Sequence, residues 1–470
     1  MLIFKDYGLK EIKEIFKPYF INEDVFSCDY TLGEKFMWNK FFKSSYALVN
    51  NTLTFKEMYG ESNYAFYYPM GLDIDNMFSL IKEYELNSKK KRLEFCSVDE
   101  KHLLDLKNRF PHNDYYYDND WSDYLYLNKN FQTFSGNLYA NKRHHVKQFI
   151  KEYKEAIFKK YTNEDKSIFL DFLNEFNKSK IVTSKEAINE INETKELIKH
   201  FDELGFDCFY IEYNNKVIAL SICEVINDCI YDHIEKALRE YNSIYPYFVN
   251  KIASYYQNIT YFNREDDSGD PGLRFSKLDY HPYKMINKYM FYVKNNLDLL
   301  NDIPTIKIDN NISLTKLLVK DKLDYYNLCI DEELNKYWGY DYKLDLKDNK
   351  LDPDYFYNMV INDFNNKEWF SFIIKYNDIL IGEITLGELN NLNECSIGYR
   401  LIKKYQHLGI CYKSITILID YLKNNIGLKA LNAKAYKENT RSMNLLNRLN
   451  FKCINNDDTF NYYRLELNNK

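Results

Sequence analysis

Along the last third of the chain, apolar and polar positions alternate in short runs bounded by turn residues. Residues 369–374 and 379–386 are two such runs around Tyr376-Asn377-Asp378, and they read as a β-hairpin. Cys395 to Ile402 and Ala430 to Tyr436 read as two further strands. Between them the period lengthens, and apolar residues from Tyr412 to Leu422 recur at helical spacing. A second helix is predicted after Asn439-Thr440-Arg441-Ser442, with Met443, Leu445, Leu446 and Leu449 on its apolar side and Asn450-Phe451 at its end. Upstream, Ile312 to Val319 reads as a strand and Leu323 to Trp338 as helical. Earlier still, residues 206–213, a turn at Asn214-Asn215 and residues 216–223 repeat the hairpin pattern. Ser135-Gly136 precedes a basic helix carrying Lys142, Arg143, His144, His145 and Lys147, while residues 263–282 read as a long glycine- and proline-bearing loop that ends in a strand.

The junction Gln406-His407-Leu408-Gly409-Ile410-Cys411 changes this from a fold pattern into a chemical one. A strand that feeds a short glycine-bearing turn and then a helix leaves backbone N–H groups pointing outward where the helix dipole favours anions. The pattern Q-x-x-G-x-small resembles the acyl-CoA loop of the GCN5-related N-acetyltransferases, with Cys411 standing where that family usually has Gly or Ala. N-x-x-S before an apolar helix and a closing aromatic resembles, within that group, the enzymes that modify ribosomal-protein N-termini. The resemblance covers residues 305–470. It implies acetyl-CoA as cosubstrate, with Leu401, Ile402, Gln406, His407, Leu408, Gly409, Ile410, Cys411 and Asn439 around it. It also implies Ser442 as the acid for the leaving thiolate and Asn439 at the thiol end, although both residue types equally cap helices. Glu383 is a candidate base, against the simpler expectation that strand alternation turns it to solvent. Relatives often carry a glutamate where this chain has Ser396, with Glu394 two residues earlier, so the resemblance leaves the base open.

In the first part of the chain, the 135–149 segment and the long stretch Asn263 to Pro282 together resemble an uncharacterised bacterial family related to the soluble catalytic domain of phosphatidylglycerol lysyltransferases. This covers about residues 1–295 and implies two acyltransferase-like lobes, near 1–130 and 131–295, followed by a third at 305–470. The polar, proline-terminated segment 295–304 is the expected boundary. The fold class is therefore α/β (α+β): three acyltransferase-like lobes, each a mixed, mostly antiparallel sheet flanked by helices. Lys142, Arg143, Arg264, Arg274 and Lys277 are expected to line one anion-binding cleft, with Arg143 and Arg274 facing it.

Composition narrows the partners. At 470 residues more than one domain is expected, and a net charge of −6 gives no global attraction to nucleic acid or anionic lipid. No run is long and apolar enough to span a bilayer, and the start lacks a signal-peptide pattern, which together predict a cytoplasmic protein. Nine cysteines without a C-x-x-C pair predict reduced thiols, and no metal is expected from the spacing of histidines or of Asp266, Asp267 and Asp270. The expected activity is acetyl transfer from acetyl-CoA to a primary amine of a small molecule or peptide, by direct attack. Two alternatives stand beside it: aminoacyl transfer from charged transfer RNA by the N-terminal region, or a ligand-binding role for non-catalytic N-terminal lobes.

Overall fold

The computed structural model describes residues 2–59, 63–87, 92–178, 185–345 and 351–467. They form three mixed, mostly antiparallel sheets flanked by helices. The chain divides into two compact units, Met1–Glu83 with Glu94–Tyr292, and Tyr84–Leu93 with Val293–Lys470.

The first unit contains two seven-stranded sheets that are not sequential in the chain. Asp123–Leu127 joins the second sheet, between Lys284–Ile286 and Tyr261–Asn263, whereas Tyr289–Val293 returns to the first, between Glu94–Val98 and Asn113–Tyr117. Strand addition is made by backbone pairing, which leaves no side-chain signature of which sheet a strand joins. The hairpin at 214–215 forms as expected, between Asp207–Tyr213 and Lys216–Ile226, with Asn214 and Asn215 at φ 50° and 58°. Asparagine tolerates the left-handed backbone that such tight turns require. The 263–282 segment differs from expectation. It contains a helix, Pro271–Leu278, in which Asp270 is the N-cap, accepting from the Leu273 amide, and Pro271 takes the first helical position. Asp-Pro-Gly reads as a turn because the same residues that break a helix interior also open a helix.

The second unit holds one eight-stranded sheet. Its strands are β1 (Ile306–Lys307), β2 (Ile312–Thr315), β3 (Trp369–Tyr376), β4 (Ile379–Gly387), β5 (Glu394–Leu401), β6 (Ala430–Tyr436), β7 (Lys452–Asn456) and β8 (Phe460–Glu466). Their order is β1-β2-β3-β4-β5-β6-β8-β7. Helices α1 (Lys322–Ile330), α2 (Pro353–Asn365), α3 (Ile410–Tyr421) and α4 (Thr440–Arg448) accompany it. The predicted strand to Val319 stops at Thr315, and the predicted helix to Trp338 breaks at Asp331, whose side chain accepts from the Leu334 amide and caps a new short turn. Leu314, Phe372, Ile374, Ile384, Leu386, Ile415 and Leu418 are fully buried between sheet and helices. Alternation along β3 and β4 supplies one side of that core, and the apolar stripe of α3 supplies the other.

Candidate active site

β5 and β6 run parallel but pair only at Glu394↔Ala430, Cys395↔Leu431 and Ser396↔Asn432. Past that point each stays paired on its other side, β5 to β4 as far as Leu401 and β6 to β8 as far as Tyr436. The two strands therefore diverge from an apex at Ser396, leaving the facing backbone edge of residues 397–401 without a strand partner. Backbone N–H and C=O groups on such an edge can pair with an extended, amide-bearing chain as they would with a strand.

At the open end β5 passes into the turn 406–409 and then α3. His407 and Gly409 have φ 63° and 74°, Gly409 is the N-cap, and a Cβ added there would meet nothing within 4 Å. The first helical turn, from Gly409 to Tyr412, lines an open cleft. Gln406 braces the turn, its Nε2 donating to the Leu401 carbonyl at 2.8 Å and its Oε1 accepting from Arg441 at 3.4 Å. His407, Leu408 and Gly409 are exposed, Ile410 is buried under the helix, and Cys411 is half-buried with burial pushing its thiol up to about 12. Leu401 is buried and Ile402 half-buried.

On the other wall, Asn439 is the N-cap of α4, its Oδ1 accepting from the Ser442 amide at 3.1 Å. The Ser442 hydroxyl lies 2.8 Å from the hydroxyl of Tyr399 on β5, which also donates to the Ser442 carbonyl at 3.3 Å. Burial raises the Tyr399 phenol well above its ordinary value, so it stays protonated. The structure thus joins Ser442 to a tyrosine that periodicity alone did not single out. Tyr399, Asn439 and Ser442 line one open cleft of about 2570 Å³ together with Leu401, Gln406, His407 and residues 409–411, whereas Ile402 and Leu408 are not part of its lining.

Glu383 is not solvent-facing. Only 1% exposed, it accepts from Arg400 Nε at 2.7 Å and from the Tyr325 hydroxyl at 2.9 Å. Arg400 also packs over the Trp338 ring at 4.3 Å, reaches Cys329 Sγ at 3.2 Å and donates to Asn335. Direct pairing of Glu383 with Arg400 across β4 and β5 sets this up, since cross-strand neighbours share a face. With one oxygen taken by Arg400 and the other by Tyr325, this carboxylate braces the sheet.

The first unit has a related architecture with a different filling. Cys229–Ala237 and Tyr261–Asn263 run parallel until Tyr231↔Asn263, and the following helix, Ile244–Tyr255, begins at Ser243 with φ 65°. Past the last pair, Glu235 Oε2 holds Arg264 Nε at 2.9 Å, so an ion pair spans the divergence. The Ser243 hydroxyl lies 2.9 Å from His145 Nδ1 and donates to Gln148. Of the basic residues assigned to an anion cleft, Lys142 and Arg264 meet over Tyr280, at 3.7 and 4.7 Å from the ring centroid, and Lys277 donates to the Arg264 carbonyl at 2.6 Å. Arg274 is held by Asp267 at 2.7 Å and Asp120 at 2.6 Å, and Lys142 by Asp279. Arg143 does not join them: it donates to the Phe134 and Gly136 carbonyls and closes the turn before its helix. Internal carboxylates and carbonyls therefore stand where the expected anion was placed. A further cluster went unread in the sequence. Lys288 lies 2.8 Å from Asp123, 3.0 Å from Asp29 and 3.2 Å from Cys28 Sγ, all buried. Cys28, Asp123 and Asp266 are also close enough to share a cation, and the Lys288 ammonium supplies that charge.

Comparison with known proteins agrees with both halves. The chain belongs to the family described as phosphatidylglycerol lysyltransferase, C-terminal, which matches residues 24–292. Residues 311–452 match the acetyltransferase (GNAT) domain. An uncharacterised protein of Mycoplasmoides gallisepticum is 26% identical over 178 residues, 37% of this chain and 56% of that one. An uncharacterised N-acetyltransferase, p20, of Bacillus licheniformis is 34% identical over 84 residues, 18% of this chain and 47% of that one. The chain thus spans about half the length of these curated relatives. A conserved protein of unknown function from Bacteroides thetaiotaomicron is similar in structure, with a TM-score of 0.58 and 26% identity, covering 63% of this chain and all of that one. Among the described residues no helix is long and apolar enough to cross a membrane.

Proposed function

We propose that the second unit transfers acetyl from acetyl-CoA to a primary amine by direct attack. The observation that carries this reading is the wedge between β5 and β6 opening onto the turn at Gly409. The turn offers amides to a pyrophosphate and the strand edge offers amides and carbonyls to the pantetheine arm. Ser442 stands on the wall where a departing thiolate would need a proton. The corresponding divergence in the first unit is bridged by Glu235 and Arg264, which favours placing the transfer in the second unit.

Calorimetric titration of acetyl-CoA into the full chain tests this. Binding is expected, and Gly409→Val should weaken it roughly tenfold, about 1.4 kcal/mol. A β-branched residue at φ 74° is strained, and its Cβ would enter the space the phosphate needs. Unchanged affinity in a folded Gly409→Val protein would remove the turn from the site.

A further inference from the structure

The wedge has two faces, and alternation along its strands assigns them. On β6, Leu431, Ala433 and Ala435 are buried in the core with Ile415 and Leu418 of α3 and Leu446 of α4. Lys434 and Tyr436 therefore point to the opposite face. On β5 the Tyr399 hydroxyl meets Ser442 of α4, so Gly398 and Arg400 share that opposite face. With α3 and α4 covering one side, an acceptor reaches a thioester held between the strands from the other. What lines that side selects the acceptor.

It is lined by aromatic rings brought from three segments of the chain. The connection between α1 and α2 sends adjacent residues to opposite banks of the wedge. Trp338 lies against β5, where a Cβ on Gly398 would stand 3.7 Å from Cη2 and Cζ3 of the indole. Tyr337 reaches β6, its ring centroid 5.5 Å from that of Tyr436. Tyr436 in turn meets Phe460 of β8, its register partner, at 4.4 Å. Such separations are those at which aromatic rings attract one another. The wall is fastened beside the proton donor: the Asn439 amide donates to the Tyr436 carbonyl at 2.8 Å, and the Tyr337 hydroxyl donates to Glu438 at 3.4 Å. Rings that only fill a core are fully covered, as Phe370 and Phe372 are on β3. Tyr337, Trp338, Tyr436 and Phe460 are each half-buried and line the cleft, so they keep ring area to offer a ligand.

Charge narrows the occupant. Lys336 Nζ stands 4.9 Å from the Tyr337 centroid, and Lys434 Nζ stands 5.7 Å from that of Phe460. A second ammonium group on the acceptor would meet like charge against these rings, whereas a flat neutral body would not. We infer that this wall is the acceptor subsite and that it takes an arylalkylamine, a primary amine joined to a flat ring by a short alkyl chain; this rests on the acetyl-CoA reading of the wedge. The acceptor ring packs against Tyr436 and Phe460, and its amine enters between the banks toward the acetyl group.

Phenethylamine and n-butylamine, compared as acceptors on the full chain by release of coenzyme A thiol, test this, with acetyl-CoA binding followed separately by calorimetry. Both carry one primary amine, and they differ chiefly in the ring. Wild-type kcat/KM is expected to favour phenethylamine roughly tenfold or more. Phe460→Leu and Tyr436→Leu keep apolar bulk but remove the flat face. Each should cut that preference several-fold, mainly through KM for phenethylamine, with acetyl-CoA affinity near wild type. No preference in the wild-type protein, a comparison that needs no variant to fold, would overturn the assignment. Equal losses on both amines in the two variants would do the same, as would a protein that binds acetyl-CoA and acetylates neither amine. Failure of acetyl-CoA to bind at all would overturn the reading of the wedge, and the subsite with it.

Discussion

Two hydroxyls 2.8 Å apart, on Ser442 and Tyr399, separate catalysis from capping at the level of single residues. Asn439, through its side chain, holds the Ser442 amide, so the serine side chain is not needed as the cap. Ser442→Ala is therefore expected to lower kcat roughly 100-fold, within the range for a positioned proton donor, with acetyl-CoA affinity and melting temperature near wild type. Asn439→Ala should instead cost about 1 kcal/mol of stability, the usual loss for a helix cap. Tyr399→Phe should lower kcat less than Ser442→Ala, and the double variant should be no slower than Ser442→Ala alone, because Tyr399 acts through the serine. Additive losses in that cycle would make the two hydroxyls independent. Glu383 belongs to a different class of residue. Removing it as Glu383→Ala strands the buried Arg400 guanidinium and should destabilise the second unit by about 3–5 kcal/mol, read in a denaturant melt.

The sheet edges and helix starts around the wedge were legible in the sequence to different degrees. β4, β5 and β6 lie where alternation placed them, and α3 and α4 follow the turn and cap signals at Gly409 and Asn439. Their shared property is local: each is set by period and by residues adjacent in the chain. What the sequence did not reveal is long-range. Glu383 meets Arg400 because β4 and β5 pair in a particular register, and Glu388 meets Ser396 because a six-residue connection folds back. The exchange of Asp123–Leu127 and Tyr289–Val293 between the two sheets of the first unit is of the same kind. At this scale Gly398 gives a check on the register. A Cβ there would lie 2.9 Å from the Thr385 hydroxyl of the facing strand, so Gly398→Val should disturb β4–β5 packing and lower both stability and cofactor binding.

In the molecule as a whole, charge is spent inward, and the first unit shows it most clearly at His233. Its ring is 1% exposed and sits between two carboxylates, with Nδ1 2.7 Å from Glu265 and Nε2 2.9 Å from Glu224. Glu224 also accepts from the Leu32 and Gly33 amides at 3.2 and 3.0 Å, which fastens an N-terminal helix to the second sheet. A Cβ on Gly33 would fall 2.3 Å from Nε2, so only glycine fits there. Burial alone would lower the His233 pKa, but the two carboxylates outweigh it and push it up to about 10. The folded value thus exceeds the unfolded one, about 6.5. Linkage then fixes the sign: the stabilisation is fully present below about pH 6.5 and is lost as pH rises toward 10. The melting temperature of the full chain should accordingly fall between pH 7 and 10, and His233→Gln should start lower and show a flatter slope. The imidazole C–H resonances of His233 in the wild-type protein provide a check that does not depend on the variant folding. They should hold the protonated chemical shift through neutral pH, and titration near 6.5 would show that the two carboxylates do not hold the ring charged.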